Sequence, residues 1–170
     1  MNATGRRLVL KGLGSALVLG ASGLPPAFGQ ADQPSLPTTV KWPPVTLLDG
    51  SILAPDWASR GAIVVFWATW CPFCHRHNKN IQALQPKLPA KGPRILGVAV
   101  DGPPQKARQF AQREGYTFPI TDSVDALRAL LGVGKTLPTT CVVGPRGEVR
   151  QRIPGEMFEE DVFDLVKAAT

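Results

Sequence analysis

Residues 67–74 have the sequence Trp-Ala-Thr-Trp-Cys-Pro-Phe-Cys, and the first of them closes the apolar run Ala62–Trp67. A continuous apolar run of this length is typical of a central strand that is buried on both faces of its sheet. Because proline is tolerated in the first turn of a helix, we expect a helix from Pro72 to about Leu88. The two cysteines therefore lie where a buried strand ends and a helix begins.

The spacing of Cys71 and Cys74 lets both sulfurs reach each other across the first helical turn. The first sulfur would lie beside unpaired backbone N–H groups and the positive end of the helix dipole, and both favour a thiolate. We therefore predict that Cys71 is the attacking nucleophile and that Cys74 resolves the mixed disulfide. The intervening Pro72 and Phe73 are expected to tune the stability of the thiolate. A structural disulfide, or two buried cysteines, is the alternative.

The remaining pattern predicts an α/β sandwich with a central mixed sheet and helices on both faces. A strand–helix–strand crossover implies parallel pairing, whereas a late hairpin supplies an antiparallel edge. An Asp-Gly turn near the start predicts a short N-terminal β-hairpin. The predicted strands lie at 45–48, 51–53, 62–67, 94–100, 139–143 and 148–153, and the predicted helices at 72–88, 104–113, 124–131 and 158–169.

Residues 1–31 predict an export signal peptide. Arg6 and Arg7 precede an apolar stretch from Leu13 to about Leu24, and no acidic residue occurs in this part of the chain. A charged start, a short apolar stretch and small residues at the end are typical of such signals. The adjacent arginines resemble the twin-arginine export motif, with a general secretory signal as the alternative. Either signal predicts a periplasmic location, where cysteines can be held oxidised.

A proline-rich arm at 32–44 is expected to be extended, because proline fixes its backbone and lacks an N–H donor. The globular domain is expected to span residues 45–170. Three of the 19 basic residues lie in the signal, so the remainder of the chain is nearly balanced against its 13 acidic residues. Since no run of Lys and Arg with interleaved aromatic residues occurs, the composition excludes nucleic acid as a partner.

A second motif, Leu137-Pro138-Thr139-Thr140, begins a predicted strand. Proline cannot donate to a strand ladder, and a cis bond before it would form a tight, rigid bend. A trans proline that merely begins an edge strand is the alternative. Cys141 follows within the same strand, where a free cysteine behaves as a small apolar residue. We expect it to be inert.

In combination these motifs resemble the TlpA/ResA-type thioredoxin-like proteins, which are exported relatives of thioredoxin. The resemblance extends from about Pro44 to the C-terminus and implies a thioredoxin-like fold. It also implies a thiol–disulfide oxidoreductase that uses the Cys71–Cys74 disulfide itself, with no other cofactor and no metal. The similar motifs occur in the order W-A-T-W-C-P-F-C, V-A-V-D, F-P-I-T-D, L-G-V and L-P-T-T.

The resemblance also implies roles for supporting residues. Pro138 matches the cis-proline that faces the dithiol, the backbone of Leu137 would pair with substrate, and Trp70 would pack beside the nucleophile. Two carboxylates of related proteins are replaced here, one by His77 and the other by Val65. His77 is a candidate for proton transfer because an imidazole titrates near neutral pH. A surface histidine on a polar helical turn is the alternative.

The expected partners also follow from the resemblance. Substrates would be disulfides or thiols of exported proteins, immature cytochrome c or copper-carrier proteins among them. A membrane thiol transporter would supply electrons. The resemblance favours a protein-disulfide reductase over an oxidase, and a monomer is the default expectation.

Three other function classes compete with this interpretation. Residues 71–75 form a literal C-x-x-C-H, the attachment motif of c-type haem, although such a motif normally lies in a small helical domain. Cys71, Cys74, His75 and His77 could also supply ligands to copper or zinc, although four residues in two helical turns rarely converge on one ion. A peroxidase is disfavoured because the nucleophile lies within W-C-x-x-C rather than standing alone.

Overall fold

The computed structural model describes residues 39–170. The predicted export signal at 1–31 and most of the proline-rich arm lie outside the described residues. The strands are β1 (Val45–Thr46), β2 (Ile52–Leu53), β3 (Ala62–Trp67), β4 (Arg94–Ala99), β5 (Ile120–Thr121), β6 (Thr139–Val143) and β7 (Val149–Pro154). The helices are α1 (Pro72–Leu84), α2 (Pro104–Glu114), α3 (Val124–Leu131) and α4 (Glu159–Ala169).

The main sheet has five strands in the order β5-β4-β3-β6-β7. Its central strand, β3, is parallel to β4 and antiparallel to β6. β5 continues the parallel half, and β7 continues the antiparallel half. β1 and β2 form a separate antiparallel pair. The predicted mixed sheet and the predicted N-terminal hairpin are both confirmed.

The central strand divides the core into two layers because successive side chains of a strand point to opposite faces. All six residues of β3 are buried. Ile63, Val65 and Trp67 pack in one cluster with apolar residues of α1, α2 and α4. Val64 and Phe66 pack in the other with α3. Helices therefore cover both faces of the sheet, as the sequence predicts.

Two features differ from the sequence-based expectation. Helix α1 ends at Leu84 rather than near Leu88, and a short 3₁₀ turn, Gln85–Lys87, follows it. Pro86 lies within that turn, and its missing N–H cannot continue an α-helical ladder. Strand β5 was not predicted, because a strand of two residues is too short to show alternation.

Across residues 39–170, no helix combines the length and apolar character needed to cross a membrane.

Candidate active site

The two cysteines lie at the start of α1. Cys71 is the N-cap residue and Cys74 lies in the first turn, and the two form a disulfide with their Cα atoms 5.2 Å apart. The backbone N–H of Cys74 donates to Cys71 Sγ at 3.2 Å. Cys71 is 5% exposed, whereas Cys74 has no exposed surface. In the reduced protein, this N–H and the helix dipole would favour a thiolate on Cys71 rather than on Cys74.

Thr69 holds the turn between β3 and α1 in place through hydrogen bonds. Its backbone N–H and its hydroxyl donate to the two carboxylate oxygens of Asp101, at 2.8 and 2.5 Å. Its carbonyl oxygen is 2.8 Å from Nε2 of His75. Asp101 follows the end of β4, the parallel neighbour of β3, and its side chain is only 1% exposed. The contacts of Thr69 therefore join both strands to the first turn of α1.

Sequence reasoning did not identify Thr69 and Asp101 as site residues. A signal for Asp101 was present, since it ends the V-A-V-D motif just beyond a predicted buried strand. The carboxyl ends of adjacent parallel strands meet at the same sheet edge, so Asp101 would be expected near the dithiol. Thr69 has no comparable signal, because its partners lie in other elements.

Trp70 and Phe73, the chain neighbours of the two cysteines, have exposed aromatic side chains. Trp70 is 64% exposed and Phe73 is 57% exposed. The guanidinium of Arg76 lies 5.0 Å from the centre of the Phe73 ring and donates to the carboxylate of Glu156 at 2.7 and 2.5 Å. This fixed cation supports one face of the Phe73 ring. The residues next to the two cysteines in the chain therefore expose two aromatic rings.

Pro138 lies at the sheet edge where the dithiol turn begins. The peptide bond between Leu137 and Pro138 is cis. Thr139 pairs with Phe66 across β3 and β6, which places Pro138 beside the end of β3 that leads to the cysteines. The Pro138 carbonyl accepts the backbone N–H of Gly155 at 2.8 Å. Leu137 is partly buried and packs against both core clusters.

His77 is fully buried, so the alternative of a surface histidine is wrong. Its Nδ1 accepts the backbone N–H of Met157 at 3.2 Å, and its Nε2 lies 2.9 Å from the hydroxyl oxygen of Thr140. Because Nδ1 accepts, the proton of the neutral ring is on Nε2, which donates to Thr140. Burial lowers the pKa of His77 to about 4, despite the opposing charge of Glu156.

The burial of His77 follows from the helical repeat rather than from the local polarity of its turn. The buried residues of α1 recur every three or four positions, as one face of a helix requires. Thr140 is the direct cross-strand partner of Val65. The histidine therefore contacts β6 at the residue that pairs with Val65 of the central strand. The buried residues are Cys74, His77, Asn78, Ile81 and Leu84.

The geometry also bears on the competing function classes. His75 directs Nε2 at the Thr69 carbonyl, and the centre of its ring lies 4.6 Å from that of Phe110. The histidine of the C-x-x-C-H motif is thus engaged within the fold rather than directed outward to a haem iron. Among residues 39–170, no cluster of three or more His, Cys, Asp and Glu side chains is placed to hold a metal ion.

Cys141 lies in a different environment from the two cysteines of the disulfide. It is a free cysteine with no exposed surface, in the middle of β6. Burial raises the pKa of Cys141 to about 12, and the charge of Arg152 opposes this shift. Its predicted burial is confirmed.

The AhpC/TSA family matches residues 40–152 of the chain. Two proteins named thiol-disulfide oxidoreductase ResA are similar in sequence. The one from Geobacillus kaustophilus is 39% identical over 108 residues, which cover 63% of this chain and 62% of that protein. The one from Bacillus anthracis is 30% identical over 128 residues, covering 74% of this chain and 73% of that protein. The chain thus spans less than two thirds of the length of the Geobacillus protein.

A solved structure has the same fold. It is a thiol:disulfide interchange protein of the thioredoxin family from Chlorobium tepidum, with a TM-score of 0.71 and 24% sequence identity. The match covers 78% of this chain and 96% of that protein. The thioredoxin-like fold predicted from the sequence is therefore confirmed.

Proposed function

The chain belongs to the AhpC/TSA family of thioredoxin-like proteins, and from that membership we propose that it is a thiol–disulfide oxidoreductase working through Cys71 and Cys74. One observation carries the proposal. The two sulfurs are bonded at the start of a helix, where Cys71 accepts a backbone N–H and keeps a small exposed surface. This is the environment in which a cysteine becomes a reactive thiolate rather than an inert staple.

The exchange reaction proceeds in two steps. The Cys71 thiolate attacks one sulfur of a substrate disulfide, forms a mixed disulfide and releases the other substrate sulfur as a thiolate. The Cys74 thiol then loses its proton and attacks Cys71, which releases the second substrate thiolate. The protein dithiol is oxidised by two electrons and the substrate disulfide is reduced by two. Because Cys74 has no exposed surface, Cys71 is the sulfur that a substrate can reach.

We propose that substrate binds as an extended segment across Leu137 and Pro138, with Trp70 and Phe73 on either side of Cys71. The exposure of both aromatic rings supports this arrangement, since apolar side chains near a reactive sulfur can contact substrate without first moving. Arg76 holds the Phe73 ring, so little side-chain freedom is lost on binding.

The contacts of His77 favour a structural role over direct proton transfer. Both of its ring nitrogens are engaged, one by Met157 and the other by Thr140. With a pKa of about 4, the ring is neutral at pH 7 and cannot stabilise a thiolate by charge. His77 is therefore a residue that joins α1 to β6 rather than a free base. Protons of the dithiol would then exchange with solvent at Cys71.

We further propose a periplasmic reductase that acts on disulfides of exported proteins and receives electrons from a membrane thiol transporter. The predicted export signal at 1–31 supports the location, and the resemblance to TlpA/ResA-type proteins supports the partners. Immature cytochrome c and copper-carrier proteins are candidate substrates. A reduction potential of the exported protein near about −270 mV would support a reductase. A value near about −120 mV would overturn that direction.

Insulin reduction by the exported protein tests the activity. The Cys71→Ser variant should lose all activity, because serine forms no disulfide. The Cys141→Val variant is the matched control, since it removes a cysteine that lies outside the site, and it should keep full activity. Full insulin reduction by Cys71→Ser would refute the proposal.

A trapping experiment tests the separate roles of the two cysteines. The Cys74→Ser variant retains the nucleophile but cannot release the mixed disulfide, so substrate proteins should remain bonded to Cys71. The double variant Cys71→Ser with Cys74→Ser should trap none. Equal trapping by the two variants would contradict the assigned roles.

A further inference from the structure

Segment 69–75 runs from the turn after β3 into the first turn of α1, and a hydrogen bond joins its two ends. It contains both cysteines, and its first and last residues are joined by a hydrogen bond of 2.8 Å between His75 Nε2 and the carbonyl oxygen of Thr69. A carbonyl oxygen only accepts, so Nε2 carries the proton. The ring of His75 also packs against Phe110, with the ring centres 4.6 Å apart. The histidine is thus held by packing as well as by its hydrogen bond.

Thr69 is fastened on its other side by a buried carboxylate. Asp101 accepts the backbone N–H of Thr69 at 2.8 Å and its hydroxyl at 2.5 Å. The side chain of Asp101 is 1% exposed, and the ammonium of Lys106 lies 3.7 Å from one of its oxygens. Hydrogen bonds to an ionised, buried acceptor are stronger than bonds between neutral groups. Three polar groups of Thr69 are therefore held, two positions before Cys71.

We propose that Asp101, Thr69 and His75 form a clamp that keeps the two sulfurs at bonding separation and thereby sets the equilibrium between disulfide and dithiol. The proposal rests on the thiol–disulfide activity proposed above. The three residues act as positioning residues, because they work through the backbone of segment 69–75. They also account for the histidine of the C-x-x-C-H motif, which the redox chemistry itself does not use.

The direction of the effect follows from which state the clamp restricts. Two glutathione thiols reduce the protein disulfide to a dithiol and become glutathione disulfide, with two electrons and two protons transferred to the protein. The disulfide already constrains the segment covalently. Without the clamp, the dithiol gains conformations in which the sulfurs lie apart, whereas the disulfide gains few. Loss of the clamp therefore favours the dithiol and slows closure of the disulfide.

The test is the equilibrium constant of the exported protein with glutathione, measured for the unaltered chain and for clamp variants. His75→Phe keeps a ring against Phe110 and removes only the donor, so it should shift the equilibrium toward the dithiol by about tenfold, which is about 30 mV. His75→Gln, which retains an N–H donor, should shift the equilibrium constant less than His75→Phe does. Lys79→Ala changes an exposed residue of α1 and should leave the constant unchanged.

Thr69→Val gives an independent test of the other half of the clamp, because valine has the shape of threonine without the hydroxyl that Asp101 accepts. It should shift the equilibrium in the same direction as His75→Phe. If His75→Phe does not fold, the equilibrium constant of Thr69→Val tests the clamp by itself. Constants within about twofold of the unaltered chain in the folded variants would overturn the clamp. Absence of any two-electron thiol couple in the unaltered chain would instead refute the proposed function.

Discussion

Two cysteine-containing regions of this fold place the same residue type in opposite environments. At the start of α1, Cys71 caps a helix, accepts a backbone N–H and retains 5% of its surface. In the middle of β6, Cys141 is fully enclosed, and burial raises its pKa to about 12. The difference indicates that backbone position and solvent access, rather than residue type, distinguish the proposed nucleophile from the enclosed cysteine.

Alkylation of the reduced protein should separate the two regions by the largest factor. At pH 7, a thiol with a pKa of about 12 is ionised in only about one molecule in 100,000, whereas the environment of Cys71 favours its thiolate. Iodoacetamide should therefore modify Cys71 at least about a thousandfold faster than Cys141. Peptide mass spectrometry over a time course measures both rates in one sample.

The same reaction in a denaturant supplies the control, because unfolding gives both cysteines ordinary thiol environments and the two rates should converge. Comparable rates in the native protein would contradict the comparison, since Cys141 would then have to reach solvent without unfolding.

Local sequence predicts the start of α1 well because its signals lie close together in the chain. The apolar run of β3 and the proline at the first helical position are contiguous with Cys71, and the predicted bounds of β3 are those observed. The sequence predicts a helix as far as about Leu88, whereas α1 ends at Leu84 because Pro86 cannot continue the α-helical hydrogen bonds. The redox pair itself needs no long-range information.

Contacts between distant residues could not be predicted in this way. Thr69 and Asp101 are 32 positions apart, and His77 and Met157 are 80 apart. Hydrogen bonds over such separations depend on the order of strands in the sheet, which periodicity does not encode. The burial of His77 could have been inferred, because Ile81 and Leu84 continue the face on which it lies.

His77 connects the two regions through Thr140, and its burial should make the stability of the fold depend on pH, because a proton added at Nδ1 would displace the backbone N–H of Met157 that Nδ1 accepts. The pKa of His77 is about 4 in the folded protein, below its ordinary value of 6.5. Between these values the unfolded chain binds a proton that the folded chain does not. The contribution of neutral His77 to the free energy of unfolding is therefore fully present above pH 6.5. It is lost as the pH falls toward 4, by on the order of 3 kcal/mol.

Urea denaturation of the oxidised protein at several pH values between 7 and 4.5 measures this effect. The His77→Gln variant is the control, because glutamine does not titrate and the slope of unfolding free energy against pH should be shallower. Parallel slopes for the two proteins would mean that His77 is protonated as easily in the folded chain as in the unfolded chain.

The smallest expected effect concerns the packing of Cys141 in β6. In Cys141→Val an apolar side chain of similar volume replaces the cysteine, and valine is favoured in strands. The free energy of unfolding should therefore change by less than about 1.5 kcal/mol. Cys141→Ser places a hydroxyl in the same buried site, where an unsatisfied polar group costs about 1–3 kcal/mol. Urea denaturation of the two variants should rank Val above Ser in stability. Equal stabilities would mean that the serine hydroxyl finds a hydrogen-bond partner, and the site would then not be apolar. Neither substitution should alter insulin reduction, since Cys141 lies outside the proposed Cys71–Cys74 site.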